Sequence, residues 1–221
     1  MSEESEPVLK IVDAFDLDDD VRSILRPGDM VRDAASRRHR LPRYFYEVPD
    51  HATATAVRIT PHFGLNEFIL TDFREAPGLQ NFPKYIPCAV RLLAFYLEQF
   101  RVAAGASIHI AVNGGYRSPS HRMAGDATPH MWGTAADIYK IGNSILRTRE
   151  LIEKFNAIAE GLSDDISVSP YDTAADHVHL DLGYITLVPR EISEDRMEQP
   201  QESRPRFAFE DRRTTERRTS G

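Results

Sequence analysis

Apolar residues fall into several distinct rhythms along this chain. Between residues 84 and 104, Ile86, Ala89, Val90, Leu93, Leu97 and Phe100 recur at helical spacing and Gly105 follows, which predicts one long helix. Residues 107–112 alternate and read as a strand, and 135–141 form a second strand candidate. Asn143 or Ser144 is expected to cap a helix through Leu151, Ile152, Phe155 and Ile158, ending near Gly161. Residues 166–169 and 177–182 read as further short strands.

The N-terminal part is less regular. Asp16-Leu17-Asp18-Asp19-Asp20 invites a calcium-loop reading, but Val21 stands where such a loop needs glycine and Pro27 where it needs glutamate. The better reading is a short helix through Val21, Ile24 and Leu25, with acidic residues at its start and Pro27-Gly28 at its end. Residues 33–54 show no clear period, and Arg37-Arg38-His39-Arg40 reads as a solvated basic turn. Residues 1–7 and the mixed-charge stretch after about Pro189 are expected to be disordered. In that tail Arg212-Arg213 and Arg217-Arg218 read as solvated charge.

Composition narrows the class. The 221 residues, 41% hydrophobic and 28% charged, suit one globular domain with a real core plus tails. A formal charge of -7 argues against a nucleic-acid binder, whose affinity rests on basic side chains meeting phosphates. The single cysteine, Cys88, excludes an intramolecular disulfide and a thiolate-rich metal site, and its apolar surroundings suit a buried thiol. The acidic first residues do not resemble a secretory leader, and no apolar run approaches the ~20 residues needed to span a bilayer. A cytoplasmic protein, or one released without a cleavable leader, is expected, with no membrane insertion and a monomeric state.

Candidate chemistry lies in two segments. His130 precedes Gly133, and Asp137 sits in a strand of alanines and isoleucine, where an unpartnered carboxylate would be costly. On the later strand His177, His179 and Asp181 share one face by the two-residue period. Spacing alone leaves two readings open: a zinc site with three protein ligands, or a histidine–carboxylate hydrogen-bond cluster. His39, His51 and His109 lack such neighbours and read as structural.

The run Gly115-Tyr116-Arg117-Ser118-Pro119-Ser120-His121, then His130-x-x-Gly133-x-Ala135-x-Asp137, then Asp176-x-x-His179-x-Asp181 resembles the zinc D-alanyl-D-alanine peptidases. That family groups D,D-carboxypeptidases, vancomycin-resistance dipeptidases, phage L,D-endopeptidases and the Hedgehog signalling domain. Upstream, residues 62–68 resemble the segment that opens the domain in many members. The likeness covers about residues 60–185.

The resemblance implies an α+β Hedgehog/DD-peptidase-like fold, a central antiparallel sheet with flanking helices and a disordered C-terminal tail. With the resemblance placing a catalytic domain over 56–188, residues 1–55 are expected to be a partly disordered N-terminal extension and 189–221 a disordered charged tail. One zinc ion would be held by His130, Asp137 and His179. Asp176 would be the general base, and His177 would assist near the transition state. Arg117 would hold substrate carboxylate or carbonyl oxygens, with Tyr116 and Ser118 as further substrate contacts.

The implied function is hydrolysis of peptidoglycan-type peptides, or their precursors, at a bond involving a D-amino acid. The alternative is a non-catalytic zinc-containing binding or signalling module of the same fold. One conflict stands between the resemblance and the strand pattern. Positions three apart on a regular strand face opposite sides, so Asp176 can serve beside His179 only if the chain bends before the strand. A strand regular from residue 176 would make His177 the better base.

Overall fold

Residues 9–190 are described by a computed structural model of the chain. The expectations for residues 1–7 and for the tail from residue 191 lie outside that range.

The chain opens with β1 (Lys10–Asp13), whose last residue caps a 3-10 turn: Asp13 Oδ1 accepts from the Phe15 amide at 3.1 Å. α1 (Asp19–Leu25) carries Asp19 and Asp20 in its first turn and stops at Arg26, which adopts a left-handed conformation. The acidic run therefore starts a helix, as its pattern predicts. β2 (Met30–Arg32) and β3 (Arg38–Arg40) form an antiparallel hairpin with Met30 opposite Arg40. The basic run at 37–40 is thus partly strand, and His39 packs inward, contrary to the solvated turn expected.

β4 (Tyr44–Val48) is buried at Tyr44, Phe45, Tyr46 and Val48. α2 (His51–Ala56) is capped by Asp50, whose carboxylate accepts from Thr53 N at 2.6 Å. After it come β5 (Arg58–Thr60), β6 (Phe63–Gly64), α3 (Leu65–Ile69) and α4 (Pro77–Gln80). His62 lies in the turn between β5 and β6, where its backbone N donates to Glu98 Oε1 at 2.7 Å.

The expected long helix divides in two. β7 (Lys84–Pro87) pairs with β4, Tyr46 opposite Ile86, and α5 (Val90–Ala104) begins only afterwards. Pro87 lacks an amide donor and suits a strand end better than a helix interior. Gly105, at φ +64°, closes α5 as expected. β8 (Ile108–Ile110), β9 (Ala135–Ile141) and β10 (Ser144–Ile145) follow. α6 (Arg149–Glu160) starts later than expected, with Thr148 as its cap, because Ser144 and Ile145 fold back onto β9. β11 (Ser167–Val168) and β12 (Val178–Asp181) complete the described elements.

The architecture is mixed α+β with antiparallel sheets. One sheet has the order β1-β4-β7; the larger has the order β10-β9-β12-β11, with β8 also on β9. Residues 10–13 and 44–48 therefore share a sheet with residues 84–87, so the segment before residue 56 is built into the same body. The described residues up to Pro189 form one compact unit, its core including Phe45, Ile86, Leu93, Leu97, Phe100 and Trp132. Among them no helix is long and apolar enough to cross a membrane. What matters for chemistry is one register: His179 on β12 stands directly opposite Asp137 on β9.

Candidate metal centre

His130 is delivered by a 3-10 turn, Pro129–Trp132, ended by Gly133 at φ +68°. Its Nδ1 lies 2.8 Å from the carbonyl oxygen of Gly115, an acceptor only, so Nδ1 carries the proton and Nε2 the lone pair. Nε2 points to Asp137 Oδ1 at 3.3 Å. Gly115 can lie this close only as glycine, since a Cβ there would come within 2.3 Å of the Phe68 carbonyl oxygen. The neighbouring Gly114 accepts from the Asp137 amide at 2.8 Å, which fixes the strand against the loop.

Asp137 is buried in β9, and its two oxygens have different tasks. Oδ2 accepts from Arg117 Nη2. Oδ1 faces imidazole nitrogens from three residues: His179 Nδ1 at 2.7 Å, His130 Nε2 at 3.3 Å and His177 Nε2 at 3.5 Å. His179 turns its other nitrogen to Asp181 Oδ2 at 3.4 Å. Asp181 thereby supports the His179 ring, steering Nδ1 toward the centre.

Electrostatics follow from this packing. Burial pushes the His179 imidazole down, but the Asp137 and Asp181 carboxylates outweigh it and raise its pKa to about 9. Burial raises Asp137, yet the adjoining His130 ring, the His179 Nδ1 contact and the Arg117 charge hold its carboxyl well below the usual carboxylate range. His130, almost fully enclosed, is lowered from its ordinary value by burial against the pull of Asp137.

One donor atom from each of His130, Asp137 and His179 lies within 4.8 Å of the others. Each histidine has its second nitrogen engaged elsewhere, and Asp137 has its second oxygen on Arg117, so one atom of each remains for an ion. Two imidazole nitrogens and a carboxylate oxygen are a donor set that suits zinc. This buried group can hold a metal ion. Beside it opens a cavity of about 600 Å³, lined by His130, His179 and Arg117 together with Pro129 and Tyr184.

The remaining candidates fall in different places. The chain does bend at His177, and β12 starts only at Val178, so neither Asp176 nor His177 is bound by strand alternation. Asp176 is exposed at 78% of its side chain, with Oδ1 2.8 Å from His177 Nδ1, and His177 is the one that reaches the centre. Arg117 is buried, its Nε donating to the Asn113 carbonyl at 2.5 Å, and it braces Asp137 at the cavity wall. Ser118 is wholly buried and donates to Glu75 Oε1 at 2.6 Å. Tyr116 is buried edge-on to Phe45. Neither Ser118 nor Tyr116 lines the cavity.

Sequence reasoning missed the carbonyls of Asn113 and Gly115, which orient Arg117 and His130. It also missed the β2–β3 hairpin, whose tip lines the cavity. The paired glycines at 114–115 were the one available signal of close backbone approach. Comparison with protein-family models, with curated proteins and with solved structures gives no match for this chain.

Proposed function

We propose that the chain is a zinc-dependent peptidase of the Hedgehog/DD-peptidase fold, hydrolysing peptidoglycan-type peptides at a bond involving a D-amino acid. The observation that carries this reading is the convergence of His130, Asp137 and His179 beside an open cavity, with a further histidine, His177, turned to the same point. A purely structural zinc needs four protein donors and no cavity.

His130, Asp137 and His179 would hold the ion. Zinc there supplies Lewis acidity, polarising a carbonyl oxygen and easing the ionisation of water at neutral pH. Asp176 accepts a hydrogen bond from His177 Nδ1, which keeps the proton on Nδ1 and leaves the lone pair of His177 on Nε2, the atom that faces the centre. His177 Nε2 then takes a proton as water attacks the carbonyl and returns it to the departing amine. The resemblance gives the base role to Asp176; in this mechanism Asp176 acts through His177. Arg117 keeps the Asp137 carboxylate in line, and its guanidinium at the cavity wall adds positive charge where the carbonyl oxygen becomes negative.

Digestion of defined D-amino-acid peptides by the zinc-loaded protein tests the reading, with product masses identifying the bond cut. Hydrolysis next to a D-residue is expected. Stoichiometric zinc with every such peptide left intact would replace the peptidase by a binding module.

A further inference from the structure

The tip of the β2–β3 hairpin is a rigid construction with one end left open. The Asp33 amide donates to the Arg37 carbonyl at 3.0 Å, and Ser36, at φ +63°, completes the turn. The buried Asp33 carboxylate accepts from Arg37 N at 2.9 Å and from Arg37 Nε at 2.7 Å, and it contacts His39 Nε2 at 3.0 Å. Arg37 is therefore anchored through Nε, while its two terminal nitrogens have no partner among the described residues. That leaves a pre-oriented fork on a side chain that is 70% exposed.

The hairpin is bolted to the loop that carries His130. Ala127 N donates to the Arg32 carbonyl at 2.8 Å, and Trp132 Nε1 donates to the Arg40 carbonyl at 3.1 Å. His39 stacks on Tyr184 at 3.6 Å, and the Tyr184 hydroxyl donates to the Ala127 carbonyl at 3.0 Å. Asp33 and Arg37 consequently line the same 600 Å³ cavity as His130, His179 and Arg117. Arg117 spends Nε on the Asn113 carbonyl and Nη2 on Asp137, so of the two arginines lining this cavity Arg37 is the one with both terminal nitrogens open. Asp126, an exposed carboxylate in the same lining, disfavours a second anion beside it.

We infer that the hairpin tip is a substrate subsite in which Arg37 receives a carboxylate borne by the peptide away from the bond being cut. The inference rests on the cleft being where the peptide lies, and it names an acidic peptide as the substrate class. Because the fork is held in place before the substrate arrives, little side-chain freedom is lost on binding.

Two pentapeptides ending in D-Ala-D-Ala, identical except for Glu against Gln at one internal position, serve as probes. Calorimetric titration of the full chain, with zinc and after chelation, gives their Kd values, and hydrolysis is followed on the same pair. The wild-type protein is expected to bind the Glu peptide about tenfold more tightly. Arg37→Gln and Arg37→Ala should bind both peptides equally, with zinc content unchanged. Arg37→Lys, which keeps the charge but loses the fork, should show a reduced preference and guards against a folding defect in the other two. An undiminished preference in the folded variants, no preference in the wild type, or binding of neither peptide at millimolar concentration would overturn the subsite. An Arg37-dependent preference without any cleavage would instead remove the peptidase reading and leave the subsite standing.

Discussion

Asp33 and Asp137 are both buried beside a histidine and an arginine, yet the two clusters are built for different ends. At Asp33 the partners are near in sequence, Arg37 and His39, and the imidazole ring is covered by the face of Tyr184. Each carboxylate oxygen is answered from inside the hairpin, and its hydrogen-bond partners among the described residues are Arg37 and His39 alone. At Asp137 the imidazoles come from separate parts of the chain, and nitrogens of His130, His177 and His179 all aim at the single oxygen Oδ1. A histidine touching an aspartate is ordinary structural chemistry. Several ring nitrogens converging on one point, with their other nitrogens engaged elsewhere and a cavity alongside, is the mark of a centre.

The widest separation between the clusters should appear in metal content. His130→Ala or Asp137→Ala is expected to cut bound zinc to below about a tenth of the wild-type level, since each removes one of three ligands. His39→Ala should retain it. Elemental analysis after dialysis decides, and zinc at wild-type stoichiometry in Asp137→Ala would break the contrast at its root.

A narrower division runs within the convergent cluster. His177→Ala should keep zinc and lose turnover by about 10²–10⁴-fold, whereas Asp176→Ala, which removes only the group orienting Nδ1, should lose less. Rates on a cleaved peptide measure both. If Asp176→Ala proves the more damaging, the carboxylate itself is the base.

The smallest effect concerns acid stability of the closed cluster. Burial raises the Asp33 carboxyl, but hydrogen bonds from His39 and Arg37 outweigh it and hold its pKa at about 2, against 3.8 ordinarily. A depressed pKa contributes stability that is present above the unfolded value and is lost as pH falls toward the folded one. Asp33→Asn should therefore melt lower than wild type at neutral pH, with the gap closing between about pH 4 and 2. A gap that stays constant through that range would mean the carboxylate charge is not what holds the hairpin tip.

Much of the centre is legible in the sequence because its donor groups are side chains of distinctive type. His130, Asp137 and His179 stand out against alanines, glycine and short apolar strands. Strand β9 is expected over the residues it occupies, and β8, β11 and β12 fall within their expected ranges. The misread elements are those whose pattern serves two structures. Ile86, Ala89 and Val90 fit a helical period, yet Lys84–Pro87 is held as a strand by pairing with β4, a partner far back in the chain. The basic run at 37–40 looks solvated until Tyr184 is brought against His39. Backbone acceptors such as the Gly115 and Asn113 carbonyls carry no residue signature, and only the tertiary fold shows what they bind. Which of Asp176 and His177 faces the centre depends on the course of the chain just before β12, and element ends are the least legible feature of a strand pattern.

The register that sets His179 opposite Asp137 would also couple the binding of an ion at this group to folding by mass action. These two residues are 42 positions apart in sequence, and they meet only when β9 and β12 pair. An unfolded chain offers the donors without the arrangement, so an ion held there favours the native state by RT ln(1 + [L]/Kd). At about a hundredfold excess over Kd that amounts to about 2.7 kcal/mol. On the proposed zinc reading, free zinc concentration would be a thermodynamic variable of this fold, and a chelator would act on the central sheet as a mild denaturant.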